Sequence, residues 1–275
     1  MAPSSVTLLL GPQTRLGTAL NDAMRAGRRS FANANVHSVL GRITSKIIRG
    51  HEGGNDMRSV RRDFGLTTDG DVIISAISLL GSPAAAFHRN EMFPDAELRL
   101  NTARSIFKPF APKIVLTLEP IHHFFFSTNS QAVFDRITAT PWEQLYELSW
   151  ADLVDEVSAT FPASDIVVVE PKSLKRGTAK VVKEVFGPVA AEVDQNEVLK
   201  RHLTLAGSMA LDRLVEAKQN KPAHVAELMA SFPDLPNANV LRARTGIDPL
   251  TSDLLTQRFE EDLKSIKYIP SVRVI

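Results

Sequence analysis

Residues Gly11-Pro12-Gln13-Thr14-Arg15-Leu16-Gly17-Thr18 follow the apolar run Val6–Leu10 and lead into an amphipathic stretch. A strand, a glycine loop and a helix in that order bring backbone N–H groups together around an anion. The positive end of the helix points at the same place. Gly11, Gln13, Thr14, Gly17 and Thr18 are the positions such a phosphate cradle would use, and Arg15 is the residue that would bring charge to it. Five residues separate Gly11 from Gly17 and none of them is lysine, which departs from the glycine–lysine loop of phosphate-binding proteins. The same residues also suit a tight connection between a strand and a helix.

A second group lies in "LEPIHHFFFS", residues 118–127. Glu119, His122 and His123 stand just after an apolar run, where the carboxyl end of a strand would open into a cleft. A histidine there suits acid–base work, but neighbouring histidines diverge on a helix, so at most one of the two is expected to face the cleft, with packing or solvent exposure as the ordinary reading. Phe124, Phe125 and Phe126 read mainly as core. In "KSLKRGTAK", Lys172, Lys175 and Arg176 suit either an anion contact or a solvated helix start. The absence of cysteine excludes disulfides, thiolate metal sites and a cysteine nucleophile. No Asp/His cluster has convincing metal spacing, so no metal site is expected.

The elements that must position these residues alternate between strand-like and helical patterns over the first two thirds of the chain. Non-alternating apolar runs at 6–10, 71–77, 113–119 and 165–170 suit strands buried on both faces. Helical patterns fall at about 17–28, 38–49, 95–109, 120–137, 141–161 and 173–185, with Gly187 as a C-cap. Thr140 and Pro141 read as N-cap and first helical residue. Residues 196–231 read as one or two helices and 233–240 as a loop containing Pro233 and Pro236. A further helix at 250–267 precedes a short tail. The fold class expected is α/β: a three-layer, P-loop-like parallel sheet flanked by helices over residues 1–190. Residues 191–275 form a helical C-terminal extension packed on that core.

A chain of 275 residues, 44% hydrophobic, has ample material for such a core. The net charge of +1 argues against a nucleic-acid coat or a polybasic membrane anchor. The charge is unevenly spread: residues 1–65 hold ten Lys and Arg against four acids, and residues 141–170 hold seven acids and no Lys or Arg. The first residues lack a basic signal-peptide start, and "VTLLL" is too short to span a membrane. A cytoplasmic location without a transmembrane segment is the expectation.

In its order of motifs the chain resembles the bacterial sulfotransferase-like P-loop proteins. Those begin with a strand and G-P-H-K-T-G-T-T, continue with a strand ending near S-S-E-x-L-x-G, and then with one ending in V-L-R-R-Q-x-x-F-x-x-S. The counterparts here are "GPQTRLGTAL", "ISAISLLG" (74–81) and "VLTLEPIHHFFFS" (115–127), and framework similarity continues to the closing "RFEEDLKSIKYIPSVRVI". The resemblance implies a loop that holds the 5′-phosphosulfate of 3′-phosphoadenosine 5′-phosphosulfate, an Arg and a Ser for the 3′-phosphate, and a Glu as general base. Aligned without a gap, the loop lysine falls on Thr14 and the glycine on Leu16. With one inserted residue they fall on Arg15 and Gly17. The 3′-phosphate arginine falls on Glu119, its serine partner on Ser127, and the general base on Ile77.

Three charged positions are thus altered together on a kept framework. The function expected is a sulfotransferase-like protein with a degraded donor site, non-catalytic or repurposed to bind a small molecule, a carbohydrate or a protein, with no nucleic-acid partner. The alternative is an active transferase that uses 3′-phosphoadenosine 5′-phosphosulfate to sulfate a hydroxyl of a carbohydrate or small molecule. Arg15 and His122 would then replace the missing catalytic groups.

Overall fold

The structure of the protein, a computed structural model, describes residues 2–54, 56–77, 79–81, 87–88, 91–127, 131–233 and 238–275. Ser78 of the segment 74–81, residues 128–130 of the expected helix 120–137, and Pro236 lie outside the described residues.

Six strands form one parallel sheet: β1 (Ser5–Leu10), β2 (Val36–Val39), β3 (Asp71–Ala76), β6 (Lys113–Thr117), β7 (Ile166–Val169) and β8 (Val272–Val274). Between β3 and β6 in sequence, β4 (Phe87–His88) and β5 (Glu91–Met92) pair antiparallel as a separate two-stranded sheet. The sheet order is β2-β3-β1-β6-β7-β8. All four expected strands are present. They are apolar without alternation because helices cover both faces. Leu8, Leu10, Ile74, Leu116 and Val168 pack into one core cluster, and Leu9, Ile73, Val115, Val167 and Val169 into the other. Neighbouring residues of a strand point to opposite faces, so two cores on one sheet make three layers.

The order reverses at β1: from β1 the chain runs to the edge strand β2 and returns to β3 between them, then crosses to the other side with β6. A crevice opens outside the carboxyl ends of β1 and β6 at such a switch point. The loop after β1 and the segment after β6 are the two stretches on which the sequence places its chemistry.

Several expectations are corrected. The helix expected at 38–49 starts at Gly41, and residues 36–39 form the edge strand β2. Thr140 does not cap the helix Trp142–Glu147. Its hydroxyl donates to the Arg136 carbonyl (2.8 Å) and closes the preceding helix. Pro141 is the N-cap residue and has no side-chain cap bond. Residues 196–231 contain three helices, Gln195–Lys200, Leu205–Glu216 and Pro222–Ser231. Helix resumes at Ala238, inside the expected loop.

The tail is β8, which runs parallel to β7 with Ile166 opposite Val272. Arg273 of β8 pairs with Asp165 and Glu184, and Lys113 of β6 reaches the same Glu184 at 2.9 Å. These partners, with the Arg273 hydrogen bond foremost, hold the Glu184 carboxyl down to about 2. The helix Pro249–Ile266 begins with Asp248 accepting from the Thr251 amide (2.8 Å). It packs against the helices Trp150–Thr160 and Ile121–Ser127. Its buried Asp262 accepts from the Trp150 amide (2.8 Å) and the Ser149 hydroxyl (3.0 Å). Among the described residues no helix is long and apolar enough to cross a membrane.

Candidate functional site

Gly11 leaves β1 at φ +138°, a conformation that residues with a side chain rarely adopt, and turns the chain toward the helix Arg15–Ala26. Thr14 caps that helix: its hydroxyl oxygen accepts from the Gly17 amide at 3.0 Å. The same oxygen lies 2.7 Å from the hydroxyl of Thr117, the last residue of β6. Gly17 packs onto this pair. A Cβ there would stand 2.7 Å from Thr117 Oγ1 and 3.2 Å from Thr14 Oγ1. Thr14 and Gly17 therefore seat the helix on the sheet, which explains their residue types without any ligand. The loop is also short of free donors, because the Thr14 amide turns back to the Pro12 carbonyl (2.7 Å).

The position where an anion would meet the helix N-terminus holds a carboxylate of the chain itself. Glu119 Oε1 accepts from the Arg15 backbone amide at 3.2 Å and from the Ser127 hydroxyl at 3.1 Å. Ser127 Oγ also lies 2.8 Å from the Phe124 carbonyl, so its one proton is shared. The Glu119 carbonyl in turn accepts from the Trp150 indole N–H at 2.9 Å, which fixes the residue from its backbone side. Glu119 is 4% exposed. Burial pushes its carboxyl up, opposed by the Arg15 charge, the Arg15 amide and Ser127. Burial thus disfavours the charge of this carboxyl and outweighs the helix amide and arginine that favour it.

Beside this contact is a cavity of about 180 Å³ at the carboxyl ends of β1, β6 and β7. Arg15, Glu119 and His123 line it from the first two strands, and Glu170, Lys172 and Lys175 from the segment after β7. His202, Met229, Thr256, Phe259 and Glu260 close it from the C-terminal region. Lys172 and Glu260 form an ion pair across one edge. Glu170 is buried, with Oε1 3.7 Å from the guanidinium of Arg176 and Oε2 without a partner. Burial pushes the Glu170 carboxyl up. Burial and the Arg15 charge lower His123 to about 4 and His202 to about 3, so both imidazoles are neutral near pH 7.

Of the residues singled out from the sequence, Arg15 lines the cavity and Glu119 and Ser127 are joined beside it. Thr14 and Gly17 lie under the helix, and Gly11 forms the turn. Gln13 and Thr18 are half-buried and do not line the cavity. Of the histidine pair, it is His123 that lines it. His122 is 1% exposed, its Nε2 sits 3.1 Å from the Ser252 hydroxyl, and burial followed by the neighbouring His123 lowers it to about 3. The rings of the two histidines are 4.2 Å apart, so His122 backs His123 from within the core. Ile77 is buried and brings no proton-transfer group.

Glu170 was open to discovery as the polar residue ending the run "DIVVVE" at the carboxyl end of a strand. His202 carries no local signal; the packing of the helix Gln195–Lys200, just before it, on the helix Arg15–Ala26 brings it to the cavity. Among the described residues no group of three or more His, Asp or Glu is placed to hold a metal ion.

Comparison of the chain with protein-family models, with curated proteins and with solved structures gives no match.

Proposed function

We propose that this chain is a sulfotransferase-like protein whose donor-phosphate position is filled by its own Glu119. It acts by binding a ligand in the adjacent cavity and does not transfer a sulfuryl group. The contact from Glu119 Oε1 to the Arg15 amide carries this reading. An incoming phosphate would have to displace a buried carboxylate from the helix N-terminus or sit against it.

The residues do not fit 3′-phosphoadenosine 5′-phosphosulfate. Glu119 stands where the resemblance requires a cation, Ile77 stands where it requires a base, and the cavity of about 180 Å³ lies below the roughly 300–1,000 Å³ of pockets for drug-sized ligands. What the site retains is a cavity with apolar walls and groups of both charges, which is the equipment of a binding protein.

Calorimetric titration with 3′-phosphoadenosine 5′-phosphate tests this. No binding is expected at millimolar nucleotide. Micromolar binding that disappears in Arg15→Ala would overturn the proposal and leave the transferase reading, with Arg15 as the charge at the leaving group and His123 as the cavity's acid–base candidate.

A further inference from the structure

We infer that the cavity takes a small uncharged aromatic molecule of the indole class and rejects ligands that carry a formal charge. The inference rests on the ligand-binding reading above and names the ligand class. The charged groups of the wall already have counterparts within the chain. Lys172 pairs with Glu260, Glu170 lies 3.7 Å from Arg176, and Glu119 meets the Arg15 charge and amide and the Ser127 hydroxyl. Lys175 is exposed and keeps its water. His123 and His202 are neutral near pH 7. A ligand with a formal charge would give up its hydration here and meet only charges that are already engaged.

The remaining wall favours rings. Pro120, Pro171, Pro233, Met229 and Phe259 give apolar surface, and a rigid ring covers it without loss of internal rotation. The volume sets the size: an apolar cavity of about 150 Å³ holds benzene, so about 180 Å³ holds one ring or a fused pair. One polar handle is left. His123 is half-buried in the cavity wall, and among the described residues its ring takes part in no hydrogen bond. A neutral imidazole keeps one acceptor nitrogen, and the indole N–H is a donor only, so the two match without bringing a charge.

The test is a ligand-observed NMR titration of the full chain near pH 7, which needs no binding enthalpy. Indole is compared with N-methylindole, which lacks the N–H. Two pairs of similar size isolate charge: benzamide beside benzoate, and benzyl alcohol beside benzylammonium. Indole is expected to bind with a Kd of about 1 mM or tighter, N-methylindole several-fold more weakly, and each ion about tenfold more weakly than its uncharged partner. Thr256→Phe, at a half-buried position of the wall, fills the cavity and should weaken indole by about tenfold or more in a variant whose thermal melt shows it folded. The ligand pairs decide the matter if the variant fails to fold.

No signal from indole at about 5 mM overturns the inference, as does either ion binding as tightly as its uncharged partner. Equal affinities of indole and N-methylindole remove the His123 contact and with it the indole class. Unchanged affinity in folded Thr256→Phe places the binding outside this cavity and overturns the inference too. 3′-Phosphoadenosine 5′-phosphate is titrated in the same series. Its micromolar binding would remove the ligand-binding reading itself, whereas failure of indole with no nucleotide binding removes only the ligand class.

Discussion

The carboxylate of Glu119 and the backbone amide of Arg15, 104 positions apart in the chain, meet at 3.2 Å over the first turn of the helix Arg15–Ala26. That contact places a carboxyl of the chain itself at the first turn of the helix. It also ties the end of β6 to the loop after β1 across the switch point.

The charge of Glu119 has a cost that depends on pH. Burial raises its carboxyl in the folded state above the ordinary 4.5. The folded state therefore holds the proton longer than the unfolded chain, and this group's contribution to stability is full below 4.5 and lost as pH rises through the folded value. Glu119→Gln keeps an acceptor for the Arg15 amide and removes the titration. The variant should gain stability over the parent at pH 8 and lose that advantage toward pH 4.5. Urea denaturation at the two pH values gives the answer, and an equal difference at both would show that Glu119 is not held against its charge.

The buried histidines work in the opposite sense. His122 and His202 are lowered to about 3 and His123 to about 4, all from 6.5. The unfolded chain takes up protons that the folded state refuses, so stability is full above 6.5 and falls as pH drops toward 3. In His202→Gln the loss of stability between pH 7 and pH 4.5 should be shallower. A parallel pH profile for variant and parent would mean that His202 ionises freely in the folded protein.

Gly17 separates packing from phosphate binding. Alanine is favoured over glycine inside a helix by about 1 kcal/mol. Here its methyl would stand 2.7 Å from Thr117 Oγ1, and overpacking costs about 1–3 kcal/mol. The two offset in part, so Gly17→Ala should be destabilised by up to about 2 kcal/mol in urea denaturation. A stabilised variant would refute the close seating of this helix on β6.

Thr14 has two duties, capping the Gly17 amide and pairing with the Thr117 hydroxyl. Thr14→Ala should cost about 0.5–2 kcal/mol for the cap, with a further cost of about 1–3 kcal/mol for the stranded Thr117 hydroxyl. Replacing both threonines at once (Thr14→Ala with Thr117→Val) should cost less than the sum of the two single changes, because no hydroxyl is then left behind. A double-mutant cycle that sums to additivity would contradict the pairing.

The sequence by itself determined the sheet and its direction. Runs such as 6–10, 113–119 and 165–170 are apolar on both faces, and only strands covered on both sides need that composition. It also marked Gly11 and Glu119 at the carboxyl ends of two such runs, and the carboxyl ends of parallel strands are where crevices open.

Other parts needed the fold. Residues 36–39 and 272–274 join the sheet as edge strands too short for a periodic signal, held by β3 on one side and by β7 with the Arg273 ion pairs on the other. Which histidine faces the cavity was settled by Ser252 reaching His122 from the last long helix. His202 has no motif around it, and it reaches the site because the helix Gln195–Lys200 just before it packs on the helix Arg15–Ala26. Local pattern determines what each segment can be. Long-range packing decides which polar atoms share one small volume, and it brings the Glu119 carboxyl to the Arg15 amide.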